Sequence, residues 1–492
     1  MISKRYNAMN KKMITYILGI LLITEGILLL LPTFVGLYYR ENIISFLITI
    51  AATVIPGFVM TRFKPHNKTI YSMEGFAIVS LGWMLISLLG ALPFFISGEI
   101  PNYLDAVFEV VSGFTTTGAS ILTDVEALSK SMIFWRSFTH WIGGMGALAF
   151  IMAVLPLANG GGNLQLMKAE SPGPDVEKLV PKSKSSARIL YGIYVILTIV
   201  QILLLRCGGL SFFESTTLSF GTAGTGGFGI VNSSIADYSL YTQIIIGIFM
   251  MLFGINFNFY FFLLCGKIKS AFKITEVRAY LGIMFTSIVL IAINIRSYFG
   301  SFFEALHQAA FQVSSVMTTT GYSTTDFDKW PELSKTIMLI VMCVGACAGS
   351  TGGGFKVSRV MILAKSARRE LKRLAHPRSV NVITMDGKRV SDEVVTGTNV
   401  FFFVYVVVFI VSLLIVSTDK LDMVSNISGV IATLNNIGPG LGKVGPTGNF
   451  SVYSWYSKVV FILNMLLGRL EIFPFLMLFV PSFKRRKRAK IK

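Results

Sequence analysis

Charge is scarce in this chain. Only 14% of its 492 residues are Asp, Glu, Lys or Arg, and the 25 acidic residues are outnumbered by 44 basic ones. A soluble protein of this length needs far more charge to cover its surface, so a water-soluble globular fold is excluded. Cysteine is equally sparse. Cys207, Cys265, Cys343 and Cys347 all lie in or beside apolar runs. Cys343 and Cys347 share a helix face at i, i+4, yet no His or further Cys joins them as a metal set, which leaves helix packing as their role. Histidine numbers four, and no HExxH pattern or nucleophile-and-base pair is present. His140, beside Trp141 in an apolar stretch, reads as a packing residue, and Glu109 has no catalytic partner, so an intramembrane enzyme is rejected.

What the chain has in abundance is apolar surface. Hydrophobic residues make up 53% of it, Phe alone occurs 40 times, and the mean hydropathy is +0.67. Runs long enough to cross a bilayer, roughly 20 residues, recur at 13–35, 43–61, 75–98, 188–206, 239–265 and 396–417. The first run is too long for a signal peptide and lacks a small-residue cleavage site, so it reads as a retained helix. Lys and Arg cluster between the runs and at the ends, as in Lys178 to Arg188, Lys267 to Arg278 and Lys365 to Arg378. Placing those loops on one side gives an even number of spans with both termini in the cytoplasm. The net charge of +19 and the basic tail at 484–492 are explained by lipid headgroups rather than by nucleic acid.

Four short segments stand out against this background: Thr115-Thr116-Thr117-Gly118, Gly224-Thr225-Gly226-Gly227, Thr318-Thr319-Thr320-Gly321 and the stretch from Asn435 to Gly440. Each follows an apolar or amphipathic half-helix and precedes a long hydrophobic span. Two copies are plainly related, since residues 106–120 align without a gap to 309–323. They share Phe108/Phe311, Val110/Val313, Ser112/Ser315, all three threonines, Gly118/Gly321 and Ser120/Ser323. An internal repeat fixes architecture before anything else does. The fold expected is an all-α polytopic membrane protein, with four pseudo-symmetric helix–pore-loop–helix repeats around one central pore plus two N-terminal helices. Its boundaries fall at 1–68 for the opening pair and at 72–157, 186–270, 276–366 and 394–483 for the repeats, giving ten full spans. The half-helices are expected near 103–115, 211–220, 303–317 and 423–434. The Gly/Pro-rich charged segments 158–187 and 366–393 read as cytoplasmic loops open to a partner. No further soluble domain fits.

Non-helical backbone survives at membrane depth only where it is buried in protein or lines a wet cavity. A TTTG segment there asks for an aqueous path. Glycine permits conformations that aim successive carbonyls one way, and Thr adds hydroxyl oxygens and stiffness. Four such strands around one axis make rings of oxygens able to replace the hydration shell of a weakly hydrated monovalent cation. The half-helices end there, so their negative dipole ends favour cations. No acidic ring accompanies them, which argues against a divalent-cation pore. One segment alone would be an ordinary turn; four in matching context are not. GTAGTGGFG (221–229) lacks the preceding strand that a nucleotide-binding glycine loop requires.

The motifs TTTGAS (115–120), TGGF (225–228), TTTGYST (318–324), NNIGPGLG (435–442), AESPGP (169–174), CAGSTGGGFKVSR (347–359) and GRLE (468–471) occur in an order that resembles the TrkH-type subunits of the Trk/Ktr/HKT potassium-transport superfamily. The resemblance runs over essentially the whole chain. It implies K⁺ as the transported substrate, no organic cofactor in this chain, a homodimer in the bacterial inner membrane, and a cytoplasmic TrkA-type nucleotide-binding regulatory subunit. Carried over by position, the filter glycines are Gly118, Gly226, Gly321 and Gly438. The K⁺-binding carbonyls then come from Thr116 and Thr117, Gly224 and Thr225, Thr319 and Thr320, and Asn436 and Ile437.

A fifth glycine-rich stretch, 345–354, interrupts what is otherwise one helix from about 334 to 364. Glycine at this density (Gly345, Gly349, Gly352, Gly353, Gly354) destabilises helix by roughly 1 kcal/mol per residue, so a loop within the membrane is expected. Family resemblance implies that it plugs the path below the filter. Arg469 lies inside the last apolar run, where a charge costs about 2.5–3.5 kcal/mol unless it faces protein or a cavity. It is expected to face the pore and hold or oppose the plug. An ion-coupled symporter, H⁺ or Na⁺, is the rival reading, with Glu25 and Glu471 as its few midspan carboxylates.

Overall fold

The computed structural model describes residues 10–66, 70, 72–146, 184–379 and 381–479. The AESPGP loop, most of the 158–187 segment and the basic tail lie outside the described residues. Helix dominates, as the apolar composition requires. The strands among the described residues are two of two residues each, β1 (Thr384–Met385) and β2 (Lys388–Arg389), paired as an antiparallel hairpin.

The chain divides into two compact units. The first takes residues up to Tyr103 and those from Leu470 onward. It holds α1 (Lys11–Leu28), α2 (Leu30–Tyr39), α3 (Ile44–Thr61), α4 (Ser72–Gly90) and α5 (Leu92–Ser97). Asn10 starts α1 by accepting the Met13 N–H on its side chain, which satisfies one of the orphan donors of the first turn. α1 and α3 cross with their backbones in contact. A Cβ on Gly19 would stand 2.8 Å from the Gly57 carbonyl oxygen, and a Cβ on Gly57 would stand 2.8 Å from that of Gly19. Close approach of this kind is how apolar helices gain dispersion contacts where no hydrophobic effect drives them together. α4, which the repeat boundaries assign to the first quarter, packs on α1, and α5 packs on α3.

The second unit comprises Leu104–Met145 and Gly173–Arg469. In chain order it contains α6 (Tyr103–Phe114, its first residue belonging to the other unit), α7 (Lys130–Met145), α8 (Lys184–Cys207), α9 (Phe212–Ala223), α10 (Leu240–Phe253), α11 (Phe257–Leu264), α12 (Ile268–Lys273) and α13 (Thr275–Asn294). After these come α14 (Phe302–Met317), α15 (Glu332–Val344), α16 (Val357–Ala375), α17 (Asp392–Val416), α18 (Met423–Leu434) and α19 (Trp455–Arg469). The four half-helices expected from sequence are α6, α9, α14 and α18. Three of their starts are chemically marked. Ser211 and Glu214 form a reciprocal capping box on α9, Ser301 caps α14 and Asp422 caps α18, as short polar side chains do at helix N-termini.

Fewer uninterrupted spans are found than the ten expected. Among the described residues six helical stretches are long and apolar enough to cross a membrane, and α10 with α11 makes a seventh only if its 90° bend is bridged. α7, α15 and α19, at 16, 13 and 15 residues, fall short of the roughly 20 needed. The helices that follow the second, third and fourth half-helices stop early, and the local chemistry shows why. α10 ends at Gly254 ahead of Asn256, whose side chain caps α11; α15 runs into the glycine stretch at Gly345; α19 ends on Arg469. Hydropathy counts such broken helices as whole spans because it does not register where the hydrogen-bond ladder stops.

The α1–α3 crossing yields the first prediction. Gly57→Leu should overpack the contact, costing about 1–3 kcal/mol, and lower the unfolding temperature of the detergent-purified chain. Val59→Leu, on the exposed face of α3, should leave it unchanged. Thermal unfolding followed by monodispersity on size exclusion checks this.

Candidate functional site

All four half-helices end in the same way. The residue after the cap adopts left-handed backbone, and its N–H bonds back to the carbonyl two residues before the cap. The next N–H bonds to the carbonyl one residue earlier still. In the first segment these are Thr116 to Gly113 at 3.0 Å and Thr117 to Ser112 at 2.8 Å. In the second they are Thr225 to Thr222 at 3.0 Å and Gly226 to Gly221 at 2.9 Å. In the third they are Thr319 to Val316 at 3.1 Å and Thr320 to Ser315 at 2.8 Å, and in the fourth Asn436 to Thr433 at 3.4 Å and Ile437 to Ala432 at 2.9 Å. This is the Schellman arrangement, but glycine, its usual left-handed residue, is missing from all four. The φ values are 55° at Thr116, 55° at Thr225, 59° at Thr319 and 54° at Asn436. For a β-branched residue such backbone is an outlier, costing about 1–2 kcal/mol. Strain of this kind persists only where the surroundings over-determine it.

The shared hydrogen bonds correct the register expected for the second segment. Gly224 has φ −69° and is a helix cap equivalent to Thr115, Thr318 and Asn435. Gly226 stands with Thr117, Thr320 and Ile437. The positive-φ glycines are Gly118 at 78°, Gly227 at 71°, Gly321 at 89° and Gly438 at 97°. Gly227, and not Gly226, is therefore the counterpart of Gly118. Two adjacent glycines give the sequence no means of telling which one takes positive φ.

Those four glycines close the segments into a ring. A Cβ built on Gly118 would collide with the carbonyl oxygen of Gly226, one on Gly227 with that of Thr320, and one on Gly321 with that of Ile437. A Cβ on Gly438 would lie 2.8 Å from the carbonyl oxygen of Thr117. Each glycine thus abuts the carbonyl of the next segment, in chain order and back to the first. Side chains brace the ring. The hydroxyls of Thr115 and Thr117 lie 2.8 Å apart, as do those of Thr318 and Thr320, and Asn436 Nδ2 donates to Thr117 Oγ1 at 2.9 Å. Thr116 Oγ1 and Asn436 Oδ1 are buried without a hydrogen-bond partner.

Three residues support the ring in ways not expected from sequence. Glu109, considered there only as a rejected catalytic group, is buried and paired with Arg136 at 2.6 Å. Its carboxylate also accepts from Ser120 Oγ at 3.0 Å and from the Ile121 N–H at 3.0 Å, just past the first segment. Arg136 Nη1 donates to the Gly229 carbonyl at 2.8 Å, and the guanidinium lies over the Phe228 ring at 3.5 Å, just past the second. One buried ion pair therefore pins the exits of two segments. The signal was present: Arg136 is a basic residue within an apolar stretch, like Arg469. His140 is fully buried, as its packing role requires, but it packs behind the second segment. Its ring stacks on Phe228 at 4.1 Å and occupies the place that a Cβ on Gly226 would take. Gly226 is glycine because that ring leaves no space for a Cβ.

The stretch 345–356 separates α15 from α16 and is not helical. Gly345, Gly349 and Gly354 have φ of 75°, 71° and 81°. Gly352 and Gly353 lie directly against the ring segments: a Cβ on Gly352 would be 2.9 Å from the Thr318 carbonyl oxygen, and one on Gly353 2.6 Å from that of Asn435. The Gly353 N–H donates to Thr319 Oγ1 at 2.6 Å. Arg469 reaches this loop. Its Nη1 donates to the Thr351 carbonyl at 3.0 Å and its Nη2 to that of Gly143 at 2.5 Å. Lys356 Nζ donates to the Gly352 carbonyl. Glu25 and Glu471, the coupling carboxylates considered from sequence, belong to the other unit.

The family model for TrkH, described as cation transport protein, matches residues 40–487. The Trk system potassium uptake protein TrkH of Escherichia coli K12 is 38% identical over 97% of this chain and 100% of its own length. The protein of that name from Halomonas elongata is 33% identical over the same shares. The crystal structure of the potassium transporter TrkH from Vibrio parahaemolyticus superposes with a TM-score of 0.86 at 34% identity, covering 97% of this chain and 100% of the other. The chain belongs to the TrkH family of cation transport proteins, and it is a multi-pass helical membrane protein.

Proposed function

We propose that this chain is the K⁺-conducting membrane subunit of a Trk-type potassium uptake system. The carbonyls of Thr117, Gly226, Thr320 and Ile437, with those flanking them, form its selectivity filter, and the 345–356 loop is its gate. The ring of glycine-to-carbonyl contacts carries this reading. Four carbonyls held at fixed spacing by strained, braced backbone are what dehydrating a weakly hydrated cation requires, and the C-terminal dipole ends of four half-helices add a negative field. The relatives named for potassium uptake support K⁺ as the ion. The physiological unit is a homodimer in the inner membrane with both termini cytoplasmic, regulated by a TrkA-type nucleotide-binding subunit on the basic loops such as 366–378. Rb⁺ uptake into proteoliposomes holding the purified chain, driven by an imposed potential alone, tests conduction. Flux that requires a Na⁺ or pH gradient would overturn it in favour of a coupled symporter.

Selectivity gives the second prediction. Gly118→Ser or Gly321→Ser pushes a neighbouring carbonyl off the axis, and Rb⁺/Na⁺ discrimination should fall at least tenfold, about 1.4 kcal/mol. Parental discrimination in both variants would sink the filter assignment.

Register gives the third. Gly226→Ala should impair uptake because its methyl meets the His140 ring, and adding His140→Ala should restore much of it. Gly227→Ala meets a backbone carbonyl and positive φ, so the same second change should not rescue it. Initial Rb⁺ uptake rates of the two double variants decide between the registers.

The gate gives the fourth. Deleting 345–354 should raise partner-free flux and leave ion preference nearly intact, since the loop obstructs and the ring selects. Arg469→Ala should act in the same direction by removing the Thr351 contact and a charge that repels K⁺. Lower or unchanged flux in a well-folded deletion would mean that these glycines serve packing alone.

A further inference from the structure

Glu276, the second residue of α13, is 6% exposed and has no part in the ring. Its Oε1 accepts the N–H of Ala348 at 2.7 Å and that of Ser358 at 3.1 Å, and its Oε2 accepts from Asn256 Nδ2 at 3.4 Å. Ala348 lies near the start of the glycine loop, and Ser358 lies in the first turn of α16, just past the loop's end. One carboxylate therefore holds both shoulders of the segment between them. Asn256 belongs to the break between α10 and α11, and the loop is sewn to that break as well. The Cys347 N–H donates to the Gly254 carbonyl at 3.1 Å, and the Phe257 N–H donates to the Gly349 carbonyl at 3.0 Å.

A carboxylate suits this place because an ionised acceptor makes stronger bonds to amide N–H groups. The first turn of α16 also presents the positive end of its helix. Without the carboxylate, two amide donors in a buried site lose their acceptor, the costly way to break a hydrogen-bonded set.

The start of α13 is fixed a second time, from the exposed hairpin. Asp386, in the turn between β1 and β2, accepts from the Thr275 N–H at 2.6 Å and from Thr275 Oγ1 at 2.7 Å. Lys365 Nζ of α16 donates to the Thr384 carbonyl of the same hairpin at 2.6 Å. Thr275 and Glu276 are adjacent, so a displacement of the hairpin bears directly on the residue that grips the loop.

We infer that Glu276 is the positioning residue that latches the glycine loop against the ring, and that the Asp386–Thr275 contact ties this latch to the exposed hairpin. The inference rests on the gating role proposed above for the loop. A bound regulatory partner that pulled the hairpin would loosen the latch without touching the ring.

Cys347 provides a readout independent of transport, since it is fully buried within the loop while Cys207, Cys265 and Cys343 are exposed. In a chain with those three changed to Ser, the rate at which a water-soluble maleimide modifies Cys347 reports release of the loop. Glu276→Ala should speed that modification roughly tenfold or more and raise partner-free Rb⁺ flux, with Rb⁺/Na⁺ preference unchanged. Glu276→Gln keeps an acceptor oxygen for the two amides and should fall between parent and Ala. Asp386→Ala should shift both readouts in the same direction by less. Maleimide reactivity as slow as the parent's in Glu276→Ala would overturn the latch. Faster modification with unchanged flux would keep the latch and overturn the gate. Should Glu276→Ala fail to fold, Glu276→Gln and Asp386→Ala decide, and parental reactivity in both overturns the proposal.

Discussion

Everything in the ring-bearing unit depends on one contact repeated four times: a glycine with positive φ pressed against the carbonyl of the neighbouring segment. It leaves no room for a β carbon, so glycine is obligatory at Gly118, Gly227 and Gly321 and nearly so at Gly438. It also fixes the spacing of four carbonyls to within the compliance of packed backbone. Left-handed threonines immediately before the ring would relax if freed. They are held by the Schellman bonds behind them, by the paired hydroxyls, and by the buried Glu109–Arg136 pair at the exits.

The interrupted helices follow from the same constraint. A ring of buried backbone must be reached closely by its supports, and the supports reach it with glycine. Gly143 and Gly468 abut the last carbonyls of α6 and α18, at Phe114 and Leu434, while Gly352 and Gly353 abut the third and fourth segments. Helices carrying glycine, Asn or Arg at that level stop there, and their freed groups are taken up by Arg469, Lys356 and Glu276. Close support and a breakable loop are thus products of one packing requirement. That gives a physical reason for a glycine-rich loop directly beside a rigid ring.

Much of this was legible in the sequence. Apolar half-helices followed by short glycine-bearing segments, together with the 106–120/309–323 repeat, located the four short helices to within three residues at either end, and glycine density marked the loop after Val344. Less was legible where the determinant is long-range. Two consecutive glycines concealed the register of the second segment, because φ depends on the neighbouring segment and on His140. Hydropathy did not reveal the breaks at α10 with α11, α15 and α19, because it registers apolar content and not where the helix hydrogen bonds stop. Glu109 and Arg136 lie far apart in sequence and meet only once α6 and α7 are packed. Arg469 was visible as a charge in an apolar run, but its bond to Thr351 was not.

The most direct measurement is the position of a bound cation. Crystals of the purified chain grown in Rb⁺ should give an anomalous-difference peak at the centre of the ring formed by the carbonyls of Thr117, Gly226, Thr320 and Ile437, and the peak should weaken when Na⁺ replaces Rb⁺. A well-phased map without density in that ring, or with Rb⁺ bound only elsewhere, would contradict the claim that these four carbonyls select the ion.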